Sequence, residues 1–174
     1  MSDTDSIRTA FCVFETDRGF VALVGRGGRL THSTLPGPTR EKALTALDGG
    51  LQAGAVEDHA AFGDLPARLV RYFAGEIADF SDVKIDTARR GRFHSAALLA
   101  AQTIPRGTVV SYGELARMAG NPRAARAAGT AMATNTMPII VPCHRVIAAG
   151  GKIGGFGPGL EWKRDLLRLE GVDI

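Results

Sequence analysis

The stretch Ser111-Tyr112-Gly113-Glu114-Leu115-Ala116-Arg117-Met118-Ala119-Gly120-Asn121-Pro122-Arg123-Ala124-Ala125-Arg126 has the form helix, turn, helix. Ser111 followed three residues later by Glu114 is a capping box, so a short helix is expected through Leu115, Ala116 and Met118. Ala119-Gly120 ends it. Asn121 then caps a second helix with Pro122 at its first position, which is expected to run through Arg123, Arg126 and Met132 to about Thr134. So short a turn between two helices is the form of a nucleic-acid-reading unit, although other helical domains contain such pairs. The second helix is nearly free of bulk: Ala124, Ala125, Ala127, Ala128, Gly129, Ala131 and Ala133 let another surface approach its backbone, while Arg123 and Arg126 project. It fits a DNA groove or a thin helix buried against a neighbour.

Downstream, Met137-Pro138-Ile139-Ile140-Val141-Pro142-Cys143-His144-Arg145-Val146-Ile147 reads as an apolar, strand-like run that delivers a cysteine and a histidine side by side. Only a thiolate attacks, so a nearby imidazole or cation is what chemistry at neutral pH requires. Adjacent residues rarely face each other, and His144 is expected to act through a water or a bend. A buried, inert cysteine is the competing reading. Beyond it, Gly150 to Gly159 holds six glycines in ten residues, a phosphate cradle or a flexible loop.

Upstream, Phe93 to Thr103 is an Ala/Leu-rich helix stopped by Pro105 and Gly107. Before it Val83 and Ile85 alternate with polar residues like an edge strand, and Thr87-Ala88-Arg89-Arg90-Gly91 is a connector, so the domain boundary is set between residues 90 and 91. The first half reads as an antiparallel meander: Phe11 to Glu15, a turn at Thr16-Asp17-Arg18-Gly19, Phe20 to Val24, a glycine turn at 25–29, and Leu30 to Leu35. Helices are expected at Thr39 to Ala46, stopped by Asp48-Gly49-Gly50, and at Pro66 to Phe73 with Ala67, Leu69, Val70 and Phe73 facing a core. The glycine turn lacks the Gly-Lys-Ser/Thr ending of a phosphate loop.

The whole chain, 174 residues with 45% hydrophobic and 22% charged, suits one compact domain or two small ones and not disorder. No window approaches the roughly 20 apolar residues of a membrane span, and Met1 to Thr9 lacks the order of a signal peptide. A soluble, cytoplasmic protein with no membrane partner is expected, its two cysteines Cys12 and Cys143 kept as thiols. Residues 1–90 carry a net charge of −2 and residues 91–174 a net +5, with Glu114 the only acid in 91–160. Such a patch suits a polyanion or a solvated face, and charge alone does not decide.

The second half resembles the O6-alkylguanine-DNA alkyltransferases, also called methylated-DNA–protein-cysteine methyltransferases. Pro142-Cys143-His144-Arg145-Val146 is similar to their active-site signature. So are Ile104-Pro105 with Gly107, Val110 to Ala116, Ala119 to Ala127, Asn135, and the segment from Gly159-Leu160 to Leu169-Glu170-Gly171. Residues 1–90 match only in general layout. The resemblance implies an α+β chain in which a small N-terminal α/β domain with an antiparallel sheet (1–90) precedes a mainly helical, winged-helix-like DNA-binding and catalytic domain (91–174). It implies DNA repair: irreversible, single-turnover transfer of an alkyl group from O6-alkylguanine, and O4-alkylthymine, in duplex DNA to the protein's own cysteine.

By the same resemblance Cys143 is the nucleophile. His144, oriented by Glu170, draws the thiol proton through a water, Tyr112 protonates the departing guanine, and Asn135 supports the loop near Cys143. The helix from Asn121 enters the minor groove with Arg123, Ala125, Ala127 and Gly129 against DNA, and Arg126 fills the gap left by a flipped nucleotide. Met132, Pro138, Val146, Phe156 and Gly157 line the alkyl pocket, and the glycine-rich stretch is its lid.

The implied partner is alkylated double-stranded DNA, bound by a monomer with scope for cooperative contacts along the duplex, and no cofactor is implied. Phe156 stands where a tyrosine is frequent, Pro158 sits in the lid, and Ala97-Leu98-Leu99 replaces a bulky aromatic. The zinc site of some members needs two cysteines and two histidines, whereas this half has Cys12 with His32 and His59, so no metal is expected. Two other readings are a lesion sensor, which shares this DNA-binding half but lacks the reactive cysteine, and a cysteine hydrolase, which gives the basic helix pair no role.

Overall fold

The computed structural model describes residues 8–47 and 49–174. The chain divides into two compact units, one ending at Asp86 and the other running from Thr87 to Ile174. The division precedes the boundary expected at 90/91 because the Thr87–Arg90 turn is tied to the second unit. Ser95 Oγ donates to the Thr87 carbonyl at 3.2 Å, and the Arg90 guanidinium reaches the Thr134 carbonyl and Thr136 Oγ1 at 3.3 and 3.0 Å.

In the first unit, β1 (Thr9–Thr16) pairs antiparallel with β2 (Gly19–Arg26) across the two-residue turn Asp17-Arg18. Strand β3 (Arg29–Ser33) follows a second two-residue turn, Gly27-Gly28, whose φ angles of 56° and 71° are those of the hairpin turn that matches strand twist. The sheet order is β3-β2-β1-β4, and the sequence reading missed β4 (Val56–Glu57), a two-residue parallel edge. A pair of residues carries too little alternation to be read as a strand; partner geometry makes it one.

The edge strand expected at Val83 and Ile85 is a single parallel bridge between Leu30 and Ile85. Turns at Asp79–Ser81 and Thr87–Arg90 leave no length for more. Helix α1 (Arg40–Thr45) is capped by Thr39, whose hydroxyl accepts the Lys42 N–H. Ala43 and Leu47 pack with Val13, Ala22 and Val24 on the sheet. Asp48 of the expected stop lies outside the described residues; Gly49 follows at φ 82°. Helix α2 (Leu65–Phe73) buries Leu65, Leu69, Tyr72 and Phe73. Ala67, expected inside, is exposed, since the 65/69/72/73 stripe lies on the opposite side of the helix.

The second unit is mainly helical. It contains α3 (Arg92–Gln102), α4 (Tyr112–Met118), α5 (Ala125–Ala133) and α6 (Leu160–Leu169). Two short strands, β5 (Val110–Ser111) and β6 (Val146–Ile147), pair in parallel. Of the Ala97-Leu98-Leu99 segment, Ala97 and Leu98 are buried and Leu99 faces outward.

The helix–turn–helix is present, but its second helix starts later than expected. Asn121 does not cap it. Its Oδ1 accepts the Arg123 N–H at 3.2 Å and its carbonyl accepts the Ala124 N–H at 3.0 Å, a closed turn that uses the groups a cap would need. Helix α5 therefore begins at Ala125, and Arg123 sits in the turn and not on the helix.

Candidate active site

Four segments of the second unit build the site. The first is the β5–α4 junction. Ser111 Oγ accepts the Glu114 N–H at 3.1 Å, and a Glu114 carboxylate oxygen accepts the Ser111 N–H at 2.6 Å, so the expected capping box is formed. That box fixes Tyr112 at the first position of α4. Burial pushes its phenol up, an N–H bond from Gly155 draws it back, and the Cys143 charge pushes it up again. Tyr112 and Cys143 are thus within electrostatic reach of each other.

The second segment is the turn from Asn135 to Cys143, where a strand-like run was expected. Residues 137–140 form turns instead, and Ile139 stands at φ 73°, a left-handed conformation that costs a β-branched residue about 1–3 kcal/mol. Asn135 holds the turn: Oδ1 accepts the Met137 N–H at 3.0 Å, and Nδ2 donates to the Val141 carbonyl at 3.0 Å and to Cys143 Sγ at 3.2 Å. Apolar content matched a strand; Asn135, bonding both the Val141 carbonyl and Cys143 Sγ, turns the run back on itself and brings Cys143 beside its amide.

The third segment is the one-turn 3₁₀ helix Cys143–Arg145, leading into β6. Cys143 is 7% exposed. Burial raises its thiol, opposed by the Asn135 bond, the Lys163 charge and the backbone N–H groups of Cys143 and His144. A thiolate in this nest has donors around it.

The fourth is α6 with its C-terminal Glu170. His144 Nε2 lies 2.8 Å from Glu170 Oε1, and Arg145 donates through Nε and Nη2 to both Glu170 oxygens at 2.9 and 2.8 Å, with Nη1 on the Ile104 carbonyl. Burial alone would raise the Glu170 carboxyl, but bonds from His144 and Arg145 hold it well below the usual carboxylate range. Burial lowers His144 despite the Glu170 bond, which keeps the imidazole neutral and ready to accept a proton.

The structure therefore brings together Cys143 with Asn135, and His144 with Glu170. Val146 is fully buried in β6, Met132 is 7% exposed on the inner face of α5, Pro138 and Phe156 are half-buried, and Gly157 is exposed. On α5 the outer face carries Arg126, Ala127, Thr130 and Ala133, all exposed, while Ala125 is half-buried. Asn121 and Arg123 are exposed in the preceding turn. Gly129 is not on that outer face: a Cβ there would lie 3.8 Å from the Tyr112 ring. The glycine loop does approach Tyr112. Gly154 stands at φ 73°, and a Cβ on it would lie 3.1 Å from the Ala148 nitrogen and 3.2 Å from the Tyr112 hydroxyl.

One site residue escaped the sequence reading: Lys163 is fully buried with Nζ donating to the Val146 and Gly155 carbonyls at 2.7 and 3.0 Å. Arg145, expected from the sequence only as a cation following the cysteine, clamps Glu170. The signal for Lys163 was its place at i, i+3, i+4, i+7 with Leu166, Leu167 and Glu170, the inward stripe of α6. Cys12 is fully buried in β1 of the other unit, its thiol pushed up to about 12 by burial and by Glu57 and Asp58. Among the described residues no group of three or more His, Cys, Asp or Glu side chains stands together as a metal site. Nor is any described helix long and apolar enough to cross a membrane.

The domain family described as 6-O-methylguanine DNA methyltransferase, DNA binding domain, matches residues 92–172. The methylated-DNA–protein-cysteine methyltransferase of Mycolicibacterium paratuberculosis is 42% identical over 152 residues, covering 87% of this chain and 86% of that one. The Mycobacterium tuberculosis protein of the same name is 43% identical over 154 residues, with the same coverage. Among solved structures, Mycobacterium tuberculosis OGT in complex with DNA superposes with a TM-score of 0.76 at 38% identity, covering 93% of each chain. The O6-methylguanine-DNA methyltransferase of Pyrococcus kodakaraensis does so with a TM-score of 0.67 at 27% identity, covering 94% of this chain and 99% of that one. With this identity spread over both units, the chain belongs to the methylated-DNA–protein-cysteine methyltransferases.

Proposed function

We propose that this protein repairs DNA by moving the alkyl group of O6-alkylguanine, and of O4-alkylthymine, in a duplex onto Cys143 in one in-line, single-turnover displacement. The observation that carries the reading is the Asn135–Cys143 bond beside the His144–Glu170 pair: a thiol surrounded by donors, next to a buried neutral base held by a carboxylate. The thiol proton passes through a water to His144. Sulfur bonds to the alkyl carbon as the carbon–O6 bond breaks, and Tyr112 gives its proton to the departing base, which leaves neutral. Solvent then returns the proton from His144 to Tyr112, and Cys143 remains a thioether.

The target base reaches the buried thiol by leaving the stack. The exposed small-residue face of α5 lies in the minor groove, Arg126 occupies the vacated space, and Asn121 and Arg123 hold phosphates from the turn before it. Residues 91–174 carry both binding and chemistry, and 1–90 support them. The protein works as a cytoplasmic monomer on alkylated duplex DNA, without a cofactor. A lesion sensor shares the binding face, and the presence of Cys143 among its donors favours transfer.

Intact mass after incubation with a duplex containing O6-methylguanine tests this. One methyl increment, located on Cys143 and lost in Cys143→Ser with duplex binding retained, is the expected result. No mass change means a sensor, and free methanol released with turnover means a hydrolase. A methyl group found on Cys12 moves the nucleophile to the other unit.

A further inference from the structure

We propose that Arg90 is a positioning residue for the transfer: its single guanidinium ties the start of α3 to the residues on either side of Asn135, and so fixes the turn from which the Asn135 amide reaches Cys143. This rests on the alkyl-transfer reading above. The side chain is anchored at its base, because the Arg90 N–H donates to the Thr87 carbonyl at 3.0 Å and the Arg90 carbonyl accepts from Ser95 Oγ at 3.5 Å. From there it reaches residues 44 and 46 positions further along the chain: Nη1 donates to the Thr134 carbonyl at 3.3 Å and Nη2 to Thr136 Oγ1 at 3.0 Å. Nη1 also lies 3.0 Å from His94 Nε2, in the first turn of α3.

Thr134 ends α5, so its carbonyl is one of those a helix leaves without a partner of its own, and a cation is the favoured neighbour there. Thr136 starts the turn that leads to the cysteine. Asn135, held between the two, aims its whole amide forward: Oδ1 accepts the Met137 N–H, and Nδ2 donates to the Val141 carbonyl and to Cys143 Sγ. Hydrogen bonds weaken steeply when bent, so an amide serving two acceptors at once needs a backbone that does not swing. Arg90 holds that backbone, and the choice of arginine is geometric: three acceptors lie around one flat fork of N–H groups, which an ammonium cannot span. His94 is an acceptor only while neutral, and burial together with the Arg90 charge holds its pKa down. Burial raises the Cys143 thiol, and the Asn135 bond is the foremost of the effects that oppose it. Arg90 therefore acts on the thiol through Asn135.

The test uses the full chain. Arg90→Met removes the fork, Arg90→Lys keeps the charge at a single point, Asn135→Ala removes the amide, and a double variant combines Asn135→Ala with Arg90→Met. Tyr112 and Lys163, coupled to the thiol by charge, stay in place in every variant. After melting curves confirm folding, two readouts are taken: the pH profile of iodoacetamide alkylation at Cys143 without DNA, followed by peptide mass above pH 7 where His94 is neutral, and single-turnover transfer from an O6-methylguanine duplex. Asn135→Ala is expected to raise the alkylation midpoint by about one pH and Arg90→Met by about half as much, with Arg90→Lys close to Arg90→Met. The Arg90→Met step should vanish in the Asn135→Ala background. Transfer at pH 7 should fall about threefold in Arg90→Met, the loss of thiolate that the midpoint sets, with duplex binding and its salt slope near wild type.

A wild-type midpoint in Arg90→Met overturns the inference and leaves Arg90 a brace for the fold; one in Arg90→Lys overturns it by assigning the effect to charge and not to the fork. Shifts that add in the double variant do the same, since Arg90 then acts on the thiol without Asn135. A weakened duplex, with a salt slope smaller by about one counterion and an unmoved midpoint, makes Arg90 a phosphate contact instead. If no Arg90 replacement folds, Thr136→Val decides, because it withdraws one acceptor of the fork at nearly constant volume. A raised midpoint there supports the positioning role, and a wild-type midpoint overturns it. A wild-type protein that takes no methyl from DNA, yet whose thiol midpoint follows Arg90 through Asn135, would sink the repair reading and leave this one standing.

Discussion

His144 and Glu170, 26 residues apart, meet through a 2.8 Å contact between Nε2 and Oε1 with both side chains fully enclosed. Both groups are held below their ordinary pKa values, His144 by burial and Glu170, against its burial, by the bonds from His144 and Arg145. For each, the unfolded chain binds the proton first as the pH falls, so stability is lost in acid. The loss begins below about pH 6.5 as the unfolded histidine charges, and deepens below about pH 4.3 as the unfolded glutamate protonates. His94, lowered by burial and by Arg90, acts in the same direction in the first range. Urea midpoints measured from pH 8 to 4 should be flat above pH 7 and fall below it. A midpoint constant down to pH 4 would refute the buried neutral imidazole.

Removing the Glu170 charge strands Arg145, which is 6% exposed. Glu170→Gln should therefore cost about 3–5 kcal/mol of stability, the usual result of leaving one partner of a buried pair charged. Adding Arg145→Met should recover a large part of that stability while transfer stays slow, because His144 still lacks its carboxylate. Recovery of both together would mean that Glu170 serves stability alone. His144→Ala with Glu170→Gln should cost less in rate than the two single losses combined, since the pair acts as a unit.

Two glycines near Tyr112 should respond in opposite ways to alanine. At Gly129 a Cβ meets the ring at an ordinary 3.8 Å, within helix α5, so Gly129→Ala should stabilise by about 0.5–1 kcal/mol and leave transfer near wild type. Gly154→Ala adds left-handed strain and pushes a methyl at the Tyr112 hydroxyl. Its transfer rate should fall about tenfold or more with duplex binding kept. Melting temperatures and single-turnover rates separate the two; equal rates would take Tyr112 out of the chemistry.

Arg126 is exposed on the outer face of α5, whereas Arg123 stands in the turn before it. Arg126→Ala should slow transfer from duplex DNA by the uncompensated cost of unstacking, a few kcal/mol, and barely change the slow reaction with free O6-alkylguanine. Arg123→Ala should weaken all duplexes alike and reduce the salt slope by about one counterion. Single-turnover rates on both substrates at two salt concentrations measure this. Equal losses for Arg126→Ala on duplex and free base would place that arginine in the pocket wall.

What could be read from the sequence is what short-range chemistry controls. Ser111 and Glu114 cap each other three residues apart, so α4 starts where the pattern says and Tyr112 follows from it. The hairpin turns at Asp17-Arg18 and Gly27-Gly28, and the adjacency of Cys143 and His144, are equally local. Tertiary structure decided the rest, because it depends on partners distant in the chain. Residues 137–140 turn because Asn135 bonds both Val141 and Cys143; the two-residue strands β5 and β6 exist only as a pair. Asn121 makes a turn by accepting the Arg123 N–H rather than capping α5, one of two local outcomes that the sequence pattern alone leaves open. Lys163 and Arg145 look like surface charges in isolation. Only the carbonyls of Val146, Gly155 and Ile104, and the carboxylate of Glu170, make it favourable to bury them, since a buried cation persists where its donors are met by acceptors.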